Sequence, residues 1–137
     1  MSLMKVFDIA GSGMSAQSVR LNTTASNLAN ADSVSGTADG VYKARNPVFQ
    51  AIMNDFSADR SSVGVTVSEI QESNAAPRKM HQPDNPLADA EGYVYMPDVN
   101  AIEEMANMIS ASRSYQSNVE IMNTTKQLIL RTLQIGQ

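Results

Sequence analysis

The sequence predicts a mainly α protein with a small β-rich insert, its long N- and C-terminal helices paired as a coiled coil. Three observations carry this expectation. Seam residues recur at alternating spacings of four and three from Phe7 to Leu28, and of three and four from Met105 to Leu133. That is the period of helices that wrap around one another. Between the two seams, Pro77, Pro83, Pro86 and Pro97 punctuate the chain, and Val63, Val65 and Val67 alternate as in a strand.

The first seam is Phe7, Gly11, Met14, Ser18, Leu21, Ala25 and Leu28. It predicts a helix from Leu3 to Asn30, with Ser2 as N-cap, on the order of 40 Å long. Residues 31–41, "ADSVSGTADGV", are small and turn-rich. Next, "VYKARNPVFQAI" and "GVTVSEIQES" read as strands, and "RKMHQ" and "YVYM" as shorter ones. The second seam is Met105, Met108, Ser112, Tyr115, Val119, Met122, Lys126, Ile129 and Leu133, with Lys126 its one charged member. It predicts a helix from Val99 to Leu133, on the order of 50 Å long. Asn100 with Glu103 forms a capping box, Asp98 is the alternative cap, and neither Gly nor Pro interrupts before Gly136. Residues 1–33 and 99–137 thus make a helical domain, and 34–98 an insert.

Composition limits the function classes. A chain of 137 residues is one ordinary domain, and its lack of cysteine rules out disulfides and thiolate metal sites. Net charge is −4, with twelve of the fourteen acids inside residues 31–104. No basic stripe exists for a nucleic-acid partner. Lys5 and Asp8 interrupt the apolar N-terminal stretch, so neither a cleaved signal peptide nor a membrane span is expected.

The motif "MKVFDIAGSGMSA", with Asp32 about twenty residues on, has the outline of a dinucleotide-binding fingerprint. Its first strand would contain Lys5 and Asp8, and "SNLANA" before Asp32 cannot be a buried strand. The helical period also runs through Gly11 and Gly13 unbroken. Gly11, on the seam, therefore serves close helix packing, while Gly13 lies off it. His81, the only histidine, has no nucleophile elbow nearby and reads as a surface residue. The "LADAEGYVYMPD" window puts Leu87 where a calcium loop needs its first acid. The acids Asp84, Asp89, Glu91 and Asp98 therefore do not make a calcium loop, and the insert has no aromatic platform for paired carboxylates that hydrolyse sugars. No catalytic residue, cofactor, metal or small-molecule substrate is expected.

The helices are short of charge. Arg20 is the only charged residue between Ile9 and Ala31, and Arg113, Glu120, Lys126 and Arg131 are the only ones after Met105. Solvated helix faces normally carry Glu and Lys four apart. Ser, Thr, Asn and Gln here suit helices surrounded by other helices, where neutral polar groups are cheaper to satisfy than charges.

At this point the chain resembles the bacterial flagellar rod and hook axial proteins. The resemblance lies in "SAQSVRLNTTASNLANADS", above all Ser26, Asn27, Leu28, Ala29 and Asn30, and in "SASRSYQSNVEIMNTTKQLILRTLQIGQ". "NPLADAEGYVYMPDVN" and the short length are similar to proximal-rod members. The resemblance implies paired terminal helices forming an inner tube, with the insert facing outward. It implies helical assembly with copies of itself and other rod proteins, and contact with rotor-ring adaptors. It implies torque transmission and a channel for exported subunits. It also implies passage through the flagellar type III export apparatus without signal cleavage, into the periplasmic portion of the rod in a two-membrane cell. Without the resemblance, the same residues describe a soluble helical adaptor or partner-binding module.

Overall fold

The computed structural model describes residues 3–52 and 63–135. Helix α1 spans Leu3–Asn30; the expected cap Ser2 lies outside the described residues. Two side chains bond the backbone of its last turn. Asn30 Nδ2 donates to Ser26 O at 2.8 Å, and the Ser33 hydroxyl donates to Asn30 O at 2.7 Å. A short 3-10 turn, Ala38–Gly40, follows.

Strands β1, Arg45–Ile52, and β2, Gly64–Glu72, form an antiparallel hairpin. Arg45 stands opposite Glu72 and Ile52 opposite Gly64, with a register slip between Val48 and Phe49. Strands β3, Arg78–His81, and β4, Tyr93–Met96, form a second antiparallel pair. Ser35 extends this pair by exchanging two backbone hydrogen bonds with Tyr95, at 2.8 and 2.9 Å. Every strand lies within a segment that the sequence marks as extended.

Helix α2 spans Ala101–Ile135. Asn100 Oδ1 caps it, accepting from the backbone N–H groups of Ile102 at 3.1 Å and Glu103 at 3.4 Å. The alternative cap Asp98 instead faces Arg78, at 3.8 Å. Arg78 fixes the approach to α2, its guanidinium donating to Pro97 O at 3.2 and 3.1 Å and to Val99 O at 3.5 Å. Val94, Pro97 and Val99 are buried beside it.

The two helices pack side by side and antiparallel: Gly11 faces Met122, Gly13 faces Asn118, and Arg20 reaches Asn107 Oδ1 at 3.1 Å. The β1–β2 hairpin covers a second side of α1. α1 is therefore the middle layer. The buried apolar side chains are small: Ala10, Ala16, Ala31, Val94, Val99 and Ala111. Thr23, Thr24, Asn27 and Thr125 are buried beside them. Thr23 and Thr125 satisfy their hydroxyls on carbonyls one turn back in their own helices. Among the described residues, no helix is long and apolar enough to cross a membrane.

Candidate functional site

Two polar clasps fix the β1–β2 hairpin along α1. At one end is Asn27, only 1 % exposed. Its side-chain oxygen accepts from Arg45 N at 2.8 Å and from the Tyr42 hydroxyl at 2.9 Å. Its Nδ2 donates to Arg45 O at 3.0 Å. The amide thus engages both backbone groups of the first β1 residue, as a neighbouring strand would. The Ser26 hydroxyl lies 3.1 Å from the Tyr42 hydroxyl, whose proton is given to Asn27, so Ser26 donates. At the other end, Ser12 Oγ accepts from Val65 N at 3.1 Å while donating to Ile9 O at 2.8 Å.

This gives the "SNLAN" residues definite local tasks. Ser26 and Asn27 hold the hairpin, Leu28 O accepts from Ala31 N at the helix end, and Asn30 closes the last turn. Ala29 is exposed. Sequence reasoning singled out these residues by resemblance and missed their partners. The available signal was an uncharged amide inside a helix whose other amides and hydroxyls outnumber its charges.

The seam residues are only partly enclosed within one chain. Phe7, Gly11, Met14, Leu21 and Leu28 of α1 are half-buried, whereas Ala25 and Ser18 are exposed. In α2, Met108, Tyr115, Val119, Met122 and Ile129 are half-buried, and Met105, Lys126 and Leu133 are exposed. The fully buried helix positions are others: Ala10, Ala16, Thr23, Thr24, Asn27, Ala111 and Thr125. Helix α1 has two partners on different sides, so a single 4-3 track cannot describe what it covers. The glycines need a correction too. A Cβ on Gly11 would make ordinary contact with Met122 Cε at 3.5 Å, but one on Gly13 would come within 2.8 Å of Asn118 Nδ2. The close approach is at Gly13, which the seam places off the contact.

The residues considered for chemistry are accounted for locally. Gly11 and Gly13 lie inside the unbroken α1, with no turn to cradle a phosphate. His81 is exposed on β3, its ring edge-on to Tyr93 at 5.0 Å. Asp89 Oδ1 accepts from Tyr93 N at 2.8 Å and Glu91 N at 3.0 Å, and so closes the β3–β4 loop around Gly92, whose φ is +80°. The Tyr93 N–H bond is the largest cause holding the Asp89 carboxyl below its ordinary pKa.

Comparison with known proteins bears on the whole length. A family described as "Flagella basal body rod protein" matches residues 7–36, and one described as "Flagellar basal body rod FlgEFG protein C-terminal" matches residues 90–135. The sequence is 55 % identical to the flagellar basal-body rod protein FlgC of Yersinia enterocolitica, over all of both chains. It is 51 % identical to that of Salmonella typhimurium, again over all of both chains. To that of Aquifex aeolicus it is 41 % identical, over 98 % of this chain and 97 % of the other.

Proposed function

Because the chain belongs to the FlgC family of flagellar basal-body rod proteins, we propose that its helix pair builds the wall of the rod's hollow shaft. It is a structural subunit of the bacterial flagellar basal body, not an enzyme. In this reading, residues 1–33 and 99–137 pair as a coiled coil in the inner tube, and residues 34–98 face outward. The seam residues Phe7, Gly11, Met14, Leu21, Ala25, Leu28, Met105, Met108, Tyr115, Val119, Met122, Ile129 and Leu133 serve assembly. Those that the single chain leaves exposed, such as Ala25 and Leu133, pack on other copies and other rod proteins. The shaft transmits torque and passes exported subunits. The chain reaches the periplasmic portion of the rod through the type III export apparatus, uncleaved, and meets a rotor-ring adaptor at its base.

The observation that carries this reading is full-length similarity to rod proteins combined with apolar side chains left open along α2. Ile102, Met105, Ile109, Ile121, Leu128, Leu130 and Leu133 are all exposed, more than a lone helix pair in water would be expected to leave. The test is complementation of a bacterium lacking its own FlgC, scored by motility and by protein recovered in purified basal bodies. Leu28→Asp, secreted normally, is expected to abolish rod assembly, because a charge in a close helix contact lacks a partner. Asp39→Asn, in the exposed 3-10 turn, is expected to leave it intact. Equal incorporation of both secreted variants would overturn the reading of the seam.

A further inference from the structure

The chain has seven glycines, and Gly40 is the only one preceded by an aspartate or an asparagine. We propose that the Asp39–Gly40 junction modifies itself, passing through a cyclic imide to an isoaspartyl linkage. The 3-10 turn Ala38–Gly40 supplies what this chemistry needs. Both residues are exposed. The Asp39 side chain has no hydrogen bond or ion pair among the described residues. By contrast, Asp89 is held by two backbone N–H groups and Asp98 faces Arg78. Gly40 carries no Cβ to obstruct attack by its own nitrogen. That nitrogen donates only a long bond, to Thr37 O at 3.3 Å. Thr37 adds no side-chain cap, so the turn opens locally at small cost.

Rotation about the Asp39 Cα–C bond lifts Gly40 N off Thr37 O and turns it onto Asp39 Cγ. A bond forms between Gly40 N and Cγ, and the Cγ–OH bond of the protonated carboxyl breaks. The amide proton leaves with that hydroxyl as water. A water molecule then reopens the imide. Attack at Cγ restores aspartate. Attack at the main-chain carbon breaks its bond to Gly40 N and leaves the chain running through Cβ and Cγ. Mass and charge are unchanged, but the backbone gains a methylene. The place gives this a consequence. Ser35 is tied to Tyr95 by two backbone hydrogen bonds, and the Tyr42 hydroxyl is tied to Asn27. The turn links these two anchors, so the added atom has to be absorbed between the β3–β4 unit and the Asn27 clasp on α1.

The test ages the purified full-length chain for days at neutral pH and physiological temperature, folded and in urea. Isoaspartate is read by an isoaspartyl-specific carboxyl methyltransferase with its sulfonium methyl donor, and is located by fragmentation of the tryptic peptide spanning residues 21–43. In the folded chain, the signal at Asp39 is expected to exceed that at any other aspartate severalfold. Asp39→Glu keeps the charge but lengthens the side chain past the favourable ring size, and is expected to bring the signal at this position to background. Asp39→Asn forms the same imide by losing ammonia, and is expected to raise the isoaspartyl yield severalfold, with the mass change of deamidation. In the separated isoaspartyl form, hydrogen exchange at the Ser35 and Tyr95 amides is expected to quicken severalfold. A signal at Asp39 that appears only in urea would mean that the native turn protects the site, and would overturn the proposal. So would a larger signal at another aspartate of the folded chain, or an unchanged signal in Asp39→Glu. Unchanged exchange at Ser35 and Tyr95 would overturn the consequence drawn for the two anchors.

Discussion

Helices α1 and α2 share a seam period and a low density of charge, but the chain treats them differently. Five α1 side chains are buried within its 28 residues: Ala10, Ala16, Thr23, Thr24 and Asn27. Along α2 only Ala111 and Thr125 are buried among residues 101–134. The cause is topological. Helix α1 lies between α2 and the β1–β2 hairpin, whereas α2 touches α1 alone among the elements it packs against closely. Small and short polar residues on α1 let both partners approach. The larger side chains of α2, left open, are what a neighbouring subunit could cover. One helix is committed to the subunit and the other is available to the assembly.

The largest effect is expected where that commitment is fixed. Asn27→Ala removes three hydrogen bonds at a buried position and leaves both backbone groups of Arg45 without this partner, while the Tyr42 hydroxyl keeps Ser26. Each such group costs on the order of 1–3 kcal/mol when unsatisfied, and water entering the space recovers part of it. A loss of about 2–4 kcal/mol is expected in urea denaturation of the purified chain. A change within about 0.5 kcal/mol, the level of an ordinary surface substitution, would mean that the hairpin does not hold α1.

The second effect separates the covered from the open side of α2. Ala111 is fully buried and Ile109, two residues earlier, is 57 % exposed. Ala111→Leu overfills a close contact and is expected to cost about 1–3 kcal/mol. Ile109→Ser is expected to change the stability of the isolated chain by less than about 0.5 kcal/mol, and to show its effect only in assembly. Matching losses in denaturation would place both residues on one covered surface and remove the contrast between the helices.

Much of this architecture was legible in the sequence, and the gaps have physical reasons. The C-terminal end of α1, the Asn100 cap and the positions of the four strands among the described residues followed from spacing, capping and β-branched alternation, which are local. Which side of each helix is covered did not follow. A 4-3 spacing reports that a helix has an apolar track, but Thr23, Thr24 and Asn27 are buried without being apolar. Thr23 satisfies its hydroxyl within its own helix, whereas the Asn27 amide is satisfied by residues far away in sequence. The Asn27–Arg45 clasp joins positions eighteen apart, and the Ser12–Val65 clasp positions fifty-three apart. Hydrophobic periodicity carries no trace of either.

The glycines sharpen the comparison on a smaller scale. Replacing a mid-helix glycine by alanine favours the helix by roughly 0.8–1.0 kcal/mol. At Gly11 the new methyl meets Met122 Cε at ordinary distance, so Gly11→Ala is expected to stabilise the chain by close to that amount. At Gly13 it must displace the Asn118 amide, and the gain should cancel to within about half of it. Thermal or urea denaturation reads both. Equal stabilisation at the two positions would mean that Asn118 moves aside freely and that α1 and α2 meet loosely there. If Gly11→Ala stabilised the chain but blocked rod assembly, the small surface at Gly11 would belong to a neighbour.

The smallest effect belongs to the β3–β4 unit, which is attached to the rest by backbone and Arg78 contacts and does not share the helix interface. Asp89 organises its loop through the Tyr93 and Glu91 N–H groups, which favour the ionised carboxylate and lower its pKa in the folded chain. A depressed folded value fixes the sign. The contribution is present above the pKa of an unfolded aspartate, about 3.9, and is lost as pH falls from there through the folded value. The carboxylate is well hydrated, so the change should stay local. In an NMR titration, the Tyr93 and Glu91 amide resonances are expected to shift together in that acid window while α1 resonances near Asn27 stay in place. Asp89→Asn keeps an acceptor oxygen but cannot titrate, and should remove the acid-dependent shift without unfolding the loop. If acid instead moved the α1 resonances in step with those of the loop, and Asp89→Asn suppressed both, the β3–β4 unit would be coupled to the helix pair. The division would then no longer fall between a committed α1 and an open α2, because the loop ahead of α2 would help set how both helices sit.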